Sequence, residues 1–121
     1  MLSSIIFLFF QTFSNFGGLT TKASPLKAQE QQIVQCLRQH DVEGALQLIV
    51  AHFQEPLYWA IRKWVLVHED ADDVLQLSYV RIYKGLSKFS FKSAVKTWCY
   101  RIAYNESMRF LEINKKRMRI N

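Results

Sequence analysis

Residues 70–109 read DADDVLQLSYVRIYKGLSKFSFKSAVKTWCYRIAYNESMR, and the reading of this stretch decides the fold. Ala71, Val74, Leu75, Ser78, Tyr79, Ile82, Leu86 and Phe89 recur every three to four residues, which is the spacing of one buried helix face. Asp70 is expected as the N-cap, and acids clustered here suit the positive end of the helix dipole. Asp72, Asp73, Gln76, Leu77, Val80 and Lys84 then face outward. Leu77 and Val80 are apolar on that outer face, a hint of a protein contact. After a basic, aromatic elbow, LSKFSFKS, a second helix from Ala94 to about Met118 is expected to bury Val95, Trp98, Cys99, Ile102, Phe110 and Ile113. Its other faces display Lys96, Thr97, Tyr100, Arg101, Tyr104, Asn105, Met108 and Arg109.

Outward from this pair, the upstream chain also reads as helix. Ile33, Val34 and Leu37 mark a helix over Leu26 to Arg38. Gln39-His40-Asp41 reads as a turn, with Asp41 as N-cap of the next helix. Ala45, Leu46, Ile49, Val50 and Phe53 form the buried stripe of that helix. Pro56 removes a backbone donor, so a kink or restart is expected there. The segment Leu57 to Val67 is apolar on most sides, which suits a central helix or one pressed against a partner. With four Gly and two Pro, and no hairpin turn signal between alternating apolar runs, the class is all-α, a compact bundle of four to five helices.

The chain of 121 residues has room for one domain, expected over residues 25–119. Residues 1–24 are expected to be an apolar leader outside the fold. Ile5 to Phe10 are too short to span a bilayer, and no Lys or Arg precedes them as in a signal peptide. Cys36 and Cys99 follow no ligand or disulfide spacing and read as buried thiols in a reducing compartment.

Charge divides the chain. Up to Tyr83 there are six Lys/Arg against eight Asp/Glu, a balance of −2; from Lys84 onward there are ten against two, a balance of +8. A basic half joined to a mildly acidic half is the electrostatic footprint of nucleic-acid binding. A merely solvated basic surface stays open at this point, since net charge speaks to association and not to fold. Catalysis finds no support: His40, His52 and His68 are scattered, and no Gly-rich phosphate loop exists. Glu69, Asp70, Asp72 and Asp73 point around a helix rather than into one cage, so no metal and no cofactor is expected.

These residues resemble region 2 of bacterial RNA polymerase sigma factors, the extracytoplasmic-function (ECF) type in particular. The resemblance rests on Asp70-Ala71-Asp72-Asp73, Gln76, Tyr79, Phe89, Thr97-Trp98, Tyr100, Ile102-Ala103 and Asn105, and extends over roughly residues 30–119. It implies a cytoplasmic, non-enzymatic initiation factor domain that binds core polymerase and recognises and melts the −10 promoter element. On that reading Asp72, Asp73 and Gln76, with Leu77 and Val80 beside them, meet the coiled coil of the polymerase β′ subunit. Family members usually carry Glu where this chain has Leu77. The elbow, Phe89, Ser90, Phe91, Lys92 and Ser93, is expected to form a pocket for flipped bases of the non-template strand. Lys96, Tyr100, Arg101, Tyr104, Asn105 and Arg109 are expected to contact phosphates and bases. Phe89 and Trp98 also lie on the apolar stripe, which favours a core role for both. Lys115, Lys116, Arg117 and Arg119 are expected to make nonspecific phosphate contacts or to solubilise the chain end. An anti-sigma factor is a further implied partner. A complete ECF factor carries a second domain, region 4, for the −35 element, and none is read in this sequence. Two rival readings remain at this stage: a sigma-like module that sequesters a regulator without touching DNA, and a membrane-surface protein using the leader and basic tail.

Overall fold

Four helices, in a computed structural model that describes residues 25–120, account for most of those residues, and no strand occurs among them. They are α1 (Leu26–Arg38), α2 (Val42–Arg62), α3 (His68–Leu86) and α4 (Val95–Ile120). The reading of residues 1–24 as a leader lies outside the described residues. Among the described residues no helix is long and apolar enough to cross a membrane.

Helix α1 ends where its sequence turns polar, and its end is closed by the backbone. His40 adopts a left-handed φ of 60°, its N–H bonds to the Leu37 carbonyl at 3.1 Å, and the Asp41 N–H bonds to the Cys36 carbonyl at 2.8 Å. This pair of bonds is the Schellman arrangement, here built with histidine where glycine is commoner. Asp41 then starts α2 as expected, its carboxylate accepting from the Gly44 N–H at 2.9 Å. One residue thus closes one helix and opens the next.

Helix α2 is the centre of the fold and packs against the other three. The expected kink or restart at Pro56 does not occur, since the helix runs unbroken from Val42 to Arg62. Phe53, Leu57 and Ile61 flank the proline at helical spacing, all almost fully buried. A proline in a helix interior costs about 3 kcal/mol. Truncating a single buried Phe or Leu costs about 2–5 kcal/mol, so packing on both sides of Pro56 outweighs the missing bond.

Helix α3 buries the face the periodicity predicts: Ala71, Val74, Leu75, Ser78, Tyr79, Ile82 and Leu86 are all in the core. Ser78 is tolerated there because its hydroxyl donates to the Val74 carbonyl at 2.7 Å. Asp70 does not cap this helix. The helix begins at His68 after Val67, without a side-chain cap, and Glu69 and Asp70 fall inside its first turn. Its first bond at this end runs from the Ala71 N–H to the Val67 carbonyl at 2.9 Å.

Helix α4 departs most from expectation. It buries Val95, Cys99, Ala103, Glu106 and Ser107, with Trp98, Ile102 and Phe110 only partly covered and Ile113 half exposed. Small side chains let its backbone approach the bundle closely, and the Ser107 hydroxyl is satisfied by the Ala103 carbonyl at 2.8 Å. Its start is capped from a distance. The Glu30 carboxylate of α1 accepts from the N–H groups of Val95 at 2.6 Å and Lys96 at 2.8 Å. Beyond Phe110 nearly every described side chain is exposed, Ile113 among them.

Candidate functional site

Two surfaces emerge from this arrangement, and each follows from which face of its helix the core consumed. On α3 the core takes one side, which leaves Asp72, Asp73, Gln76, Leu77 and Val80 contiguous on the opposite side. Asp73 is exposed, and Leu77 keeps 53% of its surface open to solvent. Gln76 and Val80 are partly covered.

Asp72 sits deeper. One of its oxygens pairs with His68 Nε2 at 3.2 Å, and the other, Oδ1, is buried with no hydrogen-bond partner among the described residues. The imidazole is anchored in turn: His68 Nδ1 makes a short hydrogen bond with the Tyr58 hydroxyl, which accepts from Arg62 Nη1 at 2.9 Å. Loss of solvent raises the pKa of the Asp72 carboxyl, and Asp73 adds to the rise, while His68 and Arg62 act against it.

The second surface starts at the elbow. Phe89 is 9% exposed and lies edge-on to Trp98, with ring centroids 5.2 Å apart. It serves as a base for Phe91, whose ring meets it edge-on at 5.1 Å and is 42% exposed. The Phe91 backbone has a left-handed φ of 60°, uncommon for a bulky side chain. Ser90 and Lys92 are exposed and Ser93 is partly covered.

On α4 the expected nucleic-acid residues form two stripes rather than one. Lys96, Tyr100 and Tyr104 run along the flank facing α2: the Lys96 ammonium stands 5.7 Å from the Tyr100 ring centre and 5.9 Å from that of Phe53. Tyr104 is edge-on to Trp64 at 5.7 Å and remains half exposed. Burial raises the Tyr100 phenol pKa, so it stays a neutral donor. Arg101, Asn105 and Arg109, all exposed, form the other stripe, about 12 Å long at 1.5 Å per residue. Next to it Glu106 is buried against Arg81 of α3, an ion pair that ties α3 and α4 together.

Three contributors escaped the sequence reading. Glu30 caps α4, Trp64 lies against Tyr104, and Arg38 of α1 stands over the Phe91 ring at 4.8 Å. Each acts across 40 or more residues of sequence, where no periodicity carries a signal. Among the described residues no group of three or more His, Cys, Asp or Glu side chains is placed to hold a metal ion.

Comparison with known proteins gives a concordant result. The family model for sigma-70 region 2 matches residues 49–117. The RNA polymerase sigma-H factor of Pseudomonas aeruginosa is 33% identical over 89 residues, 74% of this chain and 46% of that protein. The ECF RNA polymerase sigma-E factors of Haemophilus influenzae and Escherichia coli are 31% and 30% identical over 88 residues, 73% of this chain in each case. Those matches take in 46% and 45% of the two proteins, so the chain spans about half the length of the curated relatives it matches.

Proposed function

We propose that this chain, which belongs to the sigma-70 region 2 family, is the portion of a transcription initiation factor that docks on core RNA polymerase and captures promoter DNA. The observation that carries this reading is the opposed chemistry of two adjacent helices. The outward stripe of α3 is acidic and apolar, and the elbow with α4 is basic and aromatic.

On this reading Asp72, Asp73 and Gln76 meet basic side chains of the polymerase, the β′ coiled coil, with Leu77 and Val80 adding apolar contact at the centre. Charge pairs at such a rim steer association, while the apolar centre slows dissociation. The elbow and α4 take the −10 element as an unpaired non-template strand. Phe91 offers a stacking face, and Lys92, Lys96, Arg101 and Arg109 offer phosphate contacts. Tyr100, Tyr104 and Asn105 offer hydrogen bonds to base edges. The work is binding and strand capture rather than covalent chemistry. Its partner places it in the cytoplasm, with an anti-sigma factor as a further candidate partner.

Fluorescence anisotropy of the full chain tests the proposal, with bacterial core RNA polymerase and a labelled −10-like single strand as the two partners. Asp73→Arg is expected to abolish polymerase binding and leave strand binding intact. Arg101→Glu is expected to weaken strand binding at least tenfold and leave polymerase binding intact. A chain that binds neither partner, or whose two faces respond to both changes alike, overturns the division of labour.

A further inference from the structure

We infer that Arg38, at the end of α1, is part of the single-strand site: it covers Phe91 until an unstacked base takes that ring face, and then holds the neighbouring phosphate. The inference deepens the reading of the elbow as a single-strand surface and rests on it.

Three observations converge. First, the Arg38 guanidinium carbon lies 4.8 Å from the Phe91 ring centre. Its side chain is otherwise exposed, and among the described residues no carboxylate pairs with it. Second, Phe91 is presented rather than buried. Its backbone is left-handed and it stays 42% exposed, while Phe89 meets its ring edge-on from within and Trp98 backs Phe89 in turn. A strained position that holds an aromatic ring at the surface is the kind of feature that persists at ligand sites. Third, the surroundings are cationic. From Gly85 to Arg101 the chain carries Lys88, Lys92, Lys96 and Arg101 and no acid. The nearby Glu30 carboxylate is already engaged by the Val95 and Lys96 N–H groups.

The exchange is physically favourable. A cation–π contact at an exposed site is weaker than the stacking of a nucleobase on an aromatic ring. A base therefore displaces the guanidinium from the face of Phe91. The displaced group is planar and weakly hydrated, with a fork of donors that suits a phosphate one nucleotide away.

The test uses the full chain and a fluorescein-labelled 12-nucleotide single strand of mixed sequence. A second set of strands carries 2-aminopurine at successive positions. Arg38→Ala is expected to weaken binding about tenfold and to make the slope of log K against log salt shallower by about 0.7, the share of one phosphate contact on a single strand. Arg38→Lys should keep the slope. Phe91→Ala should weaken binding with the slope unchanged and abolish the stacking-dependent quenching of 2-aminopurine, which Arg38→Ala retains. Far-UV circular dichroism melts establish that each variant folds. If the wild type binds and Arg38→Ala changes neither affinity nor slope, the assignment is wrong. Loss of quenching in Arg38→Ala with an unchanged slope also overturns it, because Arg38 then only shapes the elbow. A wild-type chain that fails to bind the strand at all overturns the elbow reading, and the Arg38 assignment with it.

Discussion

Asp72 shows how a single side chain can be held at some cost to the fold. Its carboxyl is pushed upward chiefly by loss of solvent, and one oxygen lacks a partner among the described residues. The consequence has a definite sign. A carboxyl whose pKa is higher folded than unfolded favours the fold only while protonated, so the penalty appears as pH rises through the folded value. Asp72→Asn is therefore expected to raise the urea midpoint at neutral pH, with the gain shrinking as pH falls toward the ordinary carboxylate value of 3.8. The same substitution should weaken polymerase binding, because the displayed charge is gone. Urea unfolding at two pH values, beside anisotropy with core polymerase, reads both effects. A destabilised Asp72→Asn variant at neutral pH would mean that the His68 contact outweighs desolvation. Neighbouring Leu77 is legible from sequence alone as an apolar residue on an outer face, and it is indeed exposed. What periodicity could not supply is the Tyr58–His68–Asp72 chain, since Tyr58 reaches in from another helix.

At the scale of the element, helix ends separate local from distant control. Asp41 was readable as an N-cap because its acceptor and the Gly44 donor lie three residues apart. The start of α3 lies three residues before the one an N-cap at Asp70 predicts, because an acidic cluster in a first turn looks in sequence like a cap, while the observed N-cap, Val67, has no side-chain acceptor to signal it. The start of α4 was not readable at all, for its acceptor is Glu30, 65 residues away. Glu30→Ala leaves two helix N–H groups without their carboxylate, and a loss of about 1–2 kcal/mol is expected by analogy with cap removal. Thermal melts should show the loss, and Glu30→Gln, which keeps one acceptor oxygen, should recover part of it. A wild-type melting temperature in Glu30→Ala would mean that water replaces the cap without penalty. Since the elbow immediately precedes this cap, the variant should also loosen strand binding.

For the whole molecule, the core is a protected interior in a measurable sense. Cys99 is fully buried, and burial, with a smaller push from the Glu30 carboxylate, raises its thiol to about 12. The thiolate is the reactive form, so iodoacetamide at pH 8 is expected to modify Cys36 in the native chain and to reach Cys99 only on unfolding. Mass spectrometry over time should show one adduct early and a second at the unfolding rate. Two adducts at equal early rates would show that α4 opens readily. By itself the sequence determined the all-α class, the buried face of α3, the outward acidic stripe and the basic, aromatic character of the elbow. Each of these depends on spacing within one helix, or on the local balance of charge and turn residues. Tertiary structure decided the rest. It carried α2 straight through Pro56, added Ala103, Glu106 and Ser107 to the buried face of α4 while leaving Ile113 half exposed, and brought Glu30 and Arg38 of α1 to the elbow. The physical reason is common to all three: these outcomes depend on what a side chain meets across the bundle. A periodic pattern records which way a residue points, not how closely another helix approaches or what stands opposite.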